Sequence, residues 1–212
     1  MKIGVIVAME KELHALEKLG AIDGNEIVLQ QCGIGKVNAA VGAAKMIEHH
    51  HPDCIISTGC AGGTKVDMKV GDVVVGTECC YHDVYCGTEV KYGQLLGMPP
   101  RFAADERLVE KTKLIDKGDI TLHHGLIATG DWFVTTKEKT GYILDRHPEA
   151  VAIDMESCAI AQTCHIYGVP FISFRVISDV PLRDTDGSEY FDFWDRLADS
   201  SFHITKSYLE II

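Results

Sequence analysis

The sequence predicts an α/β fold: a three-layer αβα sandwich around a mixed, mostly parallel central sheet. Three observations predict it. Apolar, β-branched runs such as Lys2 to Ala8, Asp53 to Thr58 and Val169 to Ile177 read as strands covered on both faces. Amphipathic or Ala-rich helical stretches alternate with these runs. No Ser-, Gly- or Pro-rich linker, internal repeat or low-complexity tract breaks the alternation, so the chain reads as one domain, 1–212.

In order, Lys2 to Ala8 is a strand, and Glu10 to Leu19 carries Leu13, Leu16 and Leu19 at helical spacing. Glu26 to Gln31 is a short strand, Gly33 to Lys36 a glycine turn, and Val37 to His50 an Ala-rich helix. Asp53 to Thr58 is an apolar strand that ends at Gly59-Cys60-Ala61-Gly62-Gly63, read as a turn. Val70 to Tyr81 is β-branched and contains a Gly71-Asp72 turn signal. Gly87 to Arg101, with two Pro and three Gly, is read as a long functional loop. Asp105 to Lys117 is a helix, Leu122 to Thr129 a strand and Thr136 to Asp145 a helix. Ala150 to Ile153 is a short strand, Asp154 to Tyr167 a helix and Val169 to Ile177 a buried strand. Ser188 to Ile212 closes the chain as one long amphipathic helix.

Composition excludes several classes. With 46% apolar and 24% charged residues, the chain is neither disordered nor fibrous. Acidic residues outnumber basic ones 31 to 20, for a formal charge of −11, which speaks against nucleic acid or an anionic membrane as partner. No apolar run approaches the ~20 residues that a spanning helix needs. The first residues read as a core strand and not as a secretion signal. Eight cysteines without a C-x-x-C read as reduced, buried small hydrophobes of a cytoplasmic protein.

In a parallel sheet, ligands sit beyond the carboxyl ends of the strands. Those ends carry Met9, Glu10 and Glu12; the GCAGG segment; Gly130 to Phe133; Asp154, Met155 and Glu156; and Ser178 and Asp179. Carboxylates, a glycine segment and aromatics therefore meet on one rim. Each has two readings. Glu12 and Glu156, at the starts of helices, either complement the helix dipole or serve a ligand. Asp179, before Val180-Pro181, either stabilises a turn or is a desolvated acid able to donate a proton. Arg175, in the apolar FISFRVIS, must be paired, and Glu156 is the expected partner. Neither glycine segment gives G-x-G-x-x-G, and GIGKV fails the P-loop pattern at Val37. His49-His50-His51 reads as a helix end, while His82, His123 and His124 lack metal-ligand spacing, so no metal site is expected.

In this order, VAMEKE, CGIGKVNAA, STGCAGG, VGDVVV, YHD, YGQLLG, TGDWF, AIDMESCAIA and FRVISDV resemble the 5′-methylthioadenosine/S-adenosylhomocysteine nucleosidases of the purine nucleoside phosphorylase superfamily, over nearly the whole chain. The resemblance implies a nucleoside phosphorylase-like fold and hydrolysis of the N-glycosidic bond of adenine nucleosides, with no metal or organic cofactor. Asp179 would protonate adenine at N7, and Glu12 would accept a proton from the attacking water. Glu156 would hold the ribose hydroxyls and Met155 would pack on the sugar. Phe133 would stack on adenine, Val134 would read the base edge through its backbone, and Ser178 would position Asp179 or the base. Cys60, Ala61, Gly62, Arg175 and Phe191 complete the implied substrate-binding set. A homodimer whose partner loop closes the pocket is implied as well.

The chain departs from the family at three places. Cys60 stands where a Ser is usual, Gly20 to Cys32 has room for one strand instead of two, and the Val84 to Lys91 loop offers Tyr85 where a Phe is usual. Three alternatives follow: a futalosine-type nucleoside hydrolase, a phosphate-dependent nucleoside phosphorylase, and a nucleoside-binding protein impaired in catalysis. The phosphorylase would need Arg donors for the phosphate dianion, and neither VAMEKE nor TGCAGG has one.

Overall fold

The structure, a computed structural model, describes residues 1–17, 24–183, 187–196 and 202–212. Its strands are β1 (Lys2–Val7), β2 (Glu26–Gln31), β3 (Cys54–Gly63), β4 (Val73–Tyr81), β5 (Phe102–Ala103), β6 (Leu122–Thr129), β7 (Ala150–Asp154) and β8 (Phe171–Asp179). Its helices are α1 (Glu10–Glu17), α2 (Lys36–His50), α3 (Glu106–Lys111), α4 (Lys137–Leu144), α5 (Ser157–Tyr167), α6 (Ser188–Arg196) and α7 (His203–Ile211).

The sheet is mixed and mostly parallel. β1 pairs in parallel with β2 and β3, β3 with β8, and β6 with β4 and β7. Antiparallel pairing joins β3 to β7, β4 to β5, and β4 to β8. The pairings β3–β8–β4–β6–β7–β3 close into a ring, so the ends of β3, β7 and β8 meet around one opening. Helices cover both faces. Ala39, Ala43 and Met46 of α2 pack with Cys158, Ala159 and Ile160 of α5 on one side, small side chains that let the helices lie close to the strands. Ala15 and Leu16 of α1, Leu108 of α3, Phe193 of α6 and Tyr208 of α7 pack on the other.

Three expectations need correction, and one element is new. The GCAGG segment is strand and not a turn: β3 continues through it, Gly59 to Gly62 paired with Arg175 to Asp179 with a bulge after Ala61. Gly59 answers close approach by Glu12 and Arg175, the other use of Gly inside a strand. The Asp105 to Lys117 helix ends as α-helix at Lys111 and tightens to a 3₁₀ turn over Thr112–Leu114. The two-residue β5 was not foreseen, because two residues carry no period. The C-terminal helix is not read as one among the described residues, where α6 reaches Arg196 and α7 starts afresh after Phe202; residues 197–201 lie outside the described ones. The expected strand between the first two helices is β2; Lys18, Leu19 and residues 20–23 also lie outside.

Candidate active site

Glu12 sits in the first turn of α1, only 2% exposed. Its Oε2 accepts the N–H groups of Ala8 and Met9, each at 2.9 Å, and its Oε1 accepts that of Cys60 at 3.0 Å. The bond back to Met9, just before the helix, is the return half of a capping box, so the side chain serves the helix start as well as the cleft. Burial pushes its pKa up, opposed by Arg175 and by the three N–H donors.

Gly59 explains how Glu12 can lie there. A Cβ at this position would stand 2.6 Å from Glu12 Oε1 and 3.0 Å from Arg175 Nη1. Gly59→Ala is therefore expected to destabilise the protein by about 1–3 kcal/mol through overpacking. Urea denaturation checks this, and an unchanged midpoint would refute the packing.

Arg175, on β8, is also 2% exposed. Its Nε donates to Asp154 Oδ2 at 2.6 Å and its Nη2 to Ser57 Oγ at 2.8 Å. The expected partner, Glu156, is thus corrected to Asp154. Asp154 Oδ1 also accepts from Thr129 Oγ1 at 2.6 Å, and its Oδ2 from the Ser157 N–H at 3.0 Å. Glu156 instead turns toward the glycine turn before α2, where its Oε1 accepts the Gly35 N–H at 2.9 Å. Gly35 has φ +92°, a left-handed conformation that glycine adopts freely. Burial first, and then the charge of Asp154, push Glu156 up to about 7 against the pull of Arg175. One guanidinium therefore stands among three carboxylates, and only Asp154 bonds it directly.

Asp179 ends β8 and is buried. Its Oδ1 accepts from Ser178 Oγ at 2.7 Å. Burial pushes it up to about 6, the Ser178 hydrogen bond lowers it, and Glu189 raises it. A carboxyl group at that value holds its proton far more readily than an exposed one.

These groups line one cleft with about 610 Å³ of empty space, open to solvent. Of the expected residues, Glu12, Cys60, Ala61, Gly62, Phe133, Val134, Met155, Glu156, Ser178 and Asp179 line it. Arg175 lies behind it. Phe191 does not line it: it is 63% exposed on the outside of α6, and the neighbouring Tyr190 takes its place. Tyr190 meets Phe133 edge-on, with ring centroids 5.1 Å apart, so the two aromatics wall one end. Sequence reading missed Tyr190, Ile34, the Asp154–Thr129 bond and the Gly35 N–H; only the aromatic run in SEYFDFW gave a signal, for Tyr190. Among the described residues, Glu12, Asp154, Glu156 and Asp179 line the cleft and no Lys or Arg does. Among those residues no group of three or more His, Cys, Asp or Glu is placed to hold a metal ion. The arrangement can take a neutral polar molecule, give it a proton at one end and draw one from water at the other.

The class follows from the whole-chain match: residues 2–210 fit the family model described as the Phosphorylase superfamily. Within that class, the chain is 42% identical to a 5′-methylthioadenosine/S-adenosylhomocysteine nucleosidase of Exiguobacterium sp. over 198 residues, 84% of this chain and 85% of that one. The structure of the S. pneumoniae nucleosidase with a transition-state inhibitor superposes with a TM-score of 0.91 at 33% identity, covering 100% of this chain and 99% of that one. The Colwellia psychrerythraea nucleosidase in complex with adenine gives 0.91 at 33%, covering 100% and 96%. The chain belongs to the 5′-methylthioadenosine/S-adenosylhomocysteine nucleosidase family.

Proposed function

We propose that the protein hydrolyses the N-glycosidic bond of 5′-methylthioadenosine and S-adenosylhomocysteine, releasing adenine and a 5-thioribose product. The observation that carries this reading is the cleft of four carboxylates with no lining cation among the described residues. Such a lining repels a phosphate dianion and suits water as the nucleophile.

The C1′–N9 bond breaks with its electron pair going to the purine, and the Asp179 proton goes to N7, so adenine leaves neutral. Positive charge grows on the sugar, and Glu156, facing the ribose hydroxyls, stabilises it as an anion. Water adds its oxygen to C1′ and gives its proton to Glu12. Phe133 stacks on the base, the Val134 backbone reads its edge, Met155 packs on the sugar, and Ser178 orients Asp179. Cys60 and its glycine neighbours let the β3 backbone approach the nucleoside, with the Cys60 N–H fixing Glu12. Arg175 acts from behind as the counter-charge. The whole site belongs to one domain, 1–212.

Product analysis with a panel of 5′-modified adenosines, with and without phosphate, tests the reading. Adenine and a free sugar from the methylthio compound in phosphate-free buffer are expected. A phosphate requirement with a sugar phosphate as product indicates a phosphorylase. Turnover confined to futalosine-type substrates indicates the sibling hydrolase, and tight binding without release a binding protein.

The working unit is a homodimer. Val37 and Val41 of α2 are 75% and 48% exposed, and Tyr85 and Leu96 of the neighbouring loop 65% and 64%. The Lys36–Asp83 pair, with Nζ to Oδ1 at 2.8 Å, ties these two segments side by side near the cleft. Exposed apolar side chains grouped in this way suit a protein partner. Val41→Glu is expected to give monomers in sedimentation with more than tenfold loss of kcat/KM, the size of effect that about 1.4 kcal/mol of lost pocket contacts gives; a fully active monomer would contradict it. All eight cysteines are free, which suits a reducing cytoplasm, and no helix among the described residues is long and apolar enough to cross a membrane.

A further inference from the structure

We propose that Glu189 is a positioning residue for Asp179: from α6 it anchors the backbone just beyond the acid and sets a carboxylate beside it. This rests on the nucleosidase reading above, in which Asp179 is the proton donor.

The geometry is a two-sided clamp. Glu189 Oε2 accepts the N–H of Val180, the residue directly after Asp179, at 2.8 Å. Its Oε1 accepts from Arg183 Nη1 at 3.0 Å. Arg183 donates in turn to the carbonyls of Val66 and Met68, in the connection between β3 and β4. One side chain therefore ties the start of α6 both to the strand end that carries Asp179 and to the frame beneath it. The next residue on the helix, Tyr190, walls the cleft. The exit of β8 and the aromatic wall are thus set by the same contact.

The charge pattern points the same way. Facing Asp179 are Ser178 on its own strand, Cys60 on β3, and Glu189 and Tyr190 on α6. Glu12 and Glu156 stand elsewhere in the cleft, and Arg183 faces Glu189. Of the groups that act on Asp179, Ser178 favours the ionised form by donating to it, and Glu189 opposes ionisation by like charge. A general acid must enter the reaction protonated, so the anion on α6 extends the pH range in which Asp179 can act.

Two measurements on the full chain test this. The first is the pH profile of kcat/KM for adenine release from methylthioadenosine. The second is a ¹³C NMR titration of the Asp179 carboxyl in ligand-free protein, which needs no turnover. In Glu189→Gln the Asp179 midpoint and the alkaline limb are both expected to fall by about half a pH unit or more, which is about a threefold loss of kcat/KM above the limb. Glu189→Asp keeps the charge and is expected to titrate near the wild type. Arg183→Gln loosens the same turn but leaves the anion, so its Asp179 midpoint is expected to hold or rise. That variant decides the matter if Glu189→Gln does not fold. The proposal is overturned if Glu189→Gln leaves the midpoint unchanged, if all three variants lower it alike, or if Arg183→Gln lowers it. If the wild type releases no adenine, the nucleosidase reading fails, and the NMR titration still judges the clamp.

Discussion

Asp179→Asn is expected to lower kcat by roughly 10²–10⁴, the contribution of a general acid, while raising thermal stability at neutral pH. The two effects share one cause. Burial lifts Asp179 from the ordinary 3.8 to about 6, so the folded protein holds this proton more tightly than the unfolded chain. At about 1.36 kcal/mol per tenfold change in proton affinity, keeping the ionised form in the fold costs roughly 3 kcal/mol. Below pH 3.8 both states are protonated and the cost vanishes. Between 3.8 and about 6 the unfolded chain loses its proton first, so stability falls as pH rises, and above about 6 the full cost is present. An amide carries no charge at any of these pH values. Melting scans should therefore show the variant up to about 6–12 °C more stable at pH 8 and close to wild type at pH 3.5. Wild-type turnover in the variant, or a melting difference independent of pH, would remove Asp179 from the role of acid.

The second large effect is expected at Asp154, a residue that makes no bond to substrate in the proposed step. Asp154→Ala strips Arg175 of its partner at 2.6 Å and leaves Thr129 Oγ1 and the Ser157 N–H without their acceptor. Breaking a buried ion pair on one side costs about 3–5 kcal/mol, because the remaining charge is uncompensated. Removing both charges is milder: Asp154→Ala combined with Arg175→Met is expected to recover at least half of that loss in urea denaturation. Activity should not recover with stability. Without Arg175, only the three N–H donors oppose burial at Glu12, which then holds more tightly a proton that the reaction needs it to release. A double variant less stable than Asp154→Ala alone would show that the pair is not the stabilising unit.

The stability cost of the acid and the tolerance for buried charge have a common origin in how the cleft is assembled. Four carboxylates share a small volume with one guanidinium behind it. Such an arrangement persists only because backbone N–H groups carry much of the compensation: Ala8, Met9 and Cys60 for Glu12, Gly35 for Glu156, and Ser157 for Asp154. These donors are fixed by the strand ends and helix starts, so they cost little further ordering when a ligand binds. The same fixed donors make the glycines at 35 and 59 hard to replace, since one needs a left-handed backbone and the other leaves room for Glu12.

Periodicity fixed most elements and their order, since buried strands and amphipathic helices each write their period over neighbouring residues; it missed the two-residue β5 and ran α6 and α7 together. Position at strand ends put Glu12, Glu156 and Asp179 among the candidates, and the family resemblance selected them; because β7 runs antiparallel to β3, it is the closing of the ring of strands that brings Glu156 to the other two. The tertiary structure decided who bonds whom. Glu156 and its Gly35 donor are 121 residues apart in the chain, and Arg175 and Asp154 21 apart, and no local pattern encodes either contact. The choice of Tyr190 over Phe191 is a matter of helix phase: one residue turns a side chain by about 100°, and only the docking of α6 on the body of the protein sets that angle. The glycines of β3 misled for the same reason: what glycine permits is local, but whether it serves a turn or a close neighbour depends on Glu12 and Arg175, which arrive from distant parts of the chain.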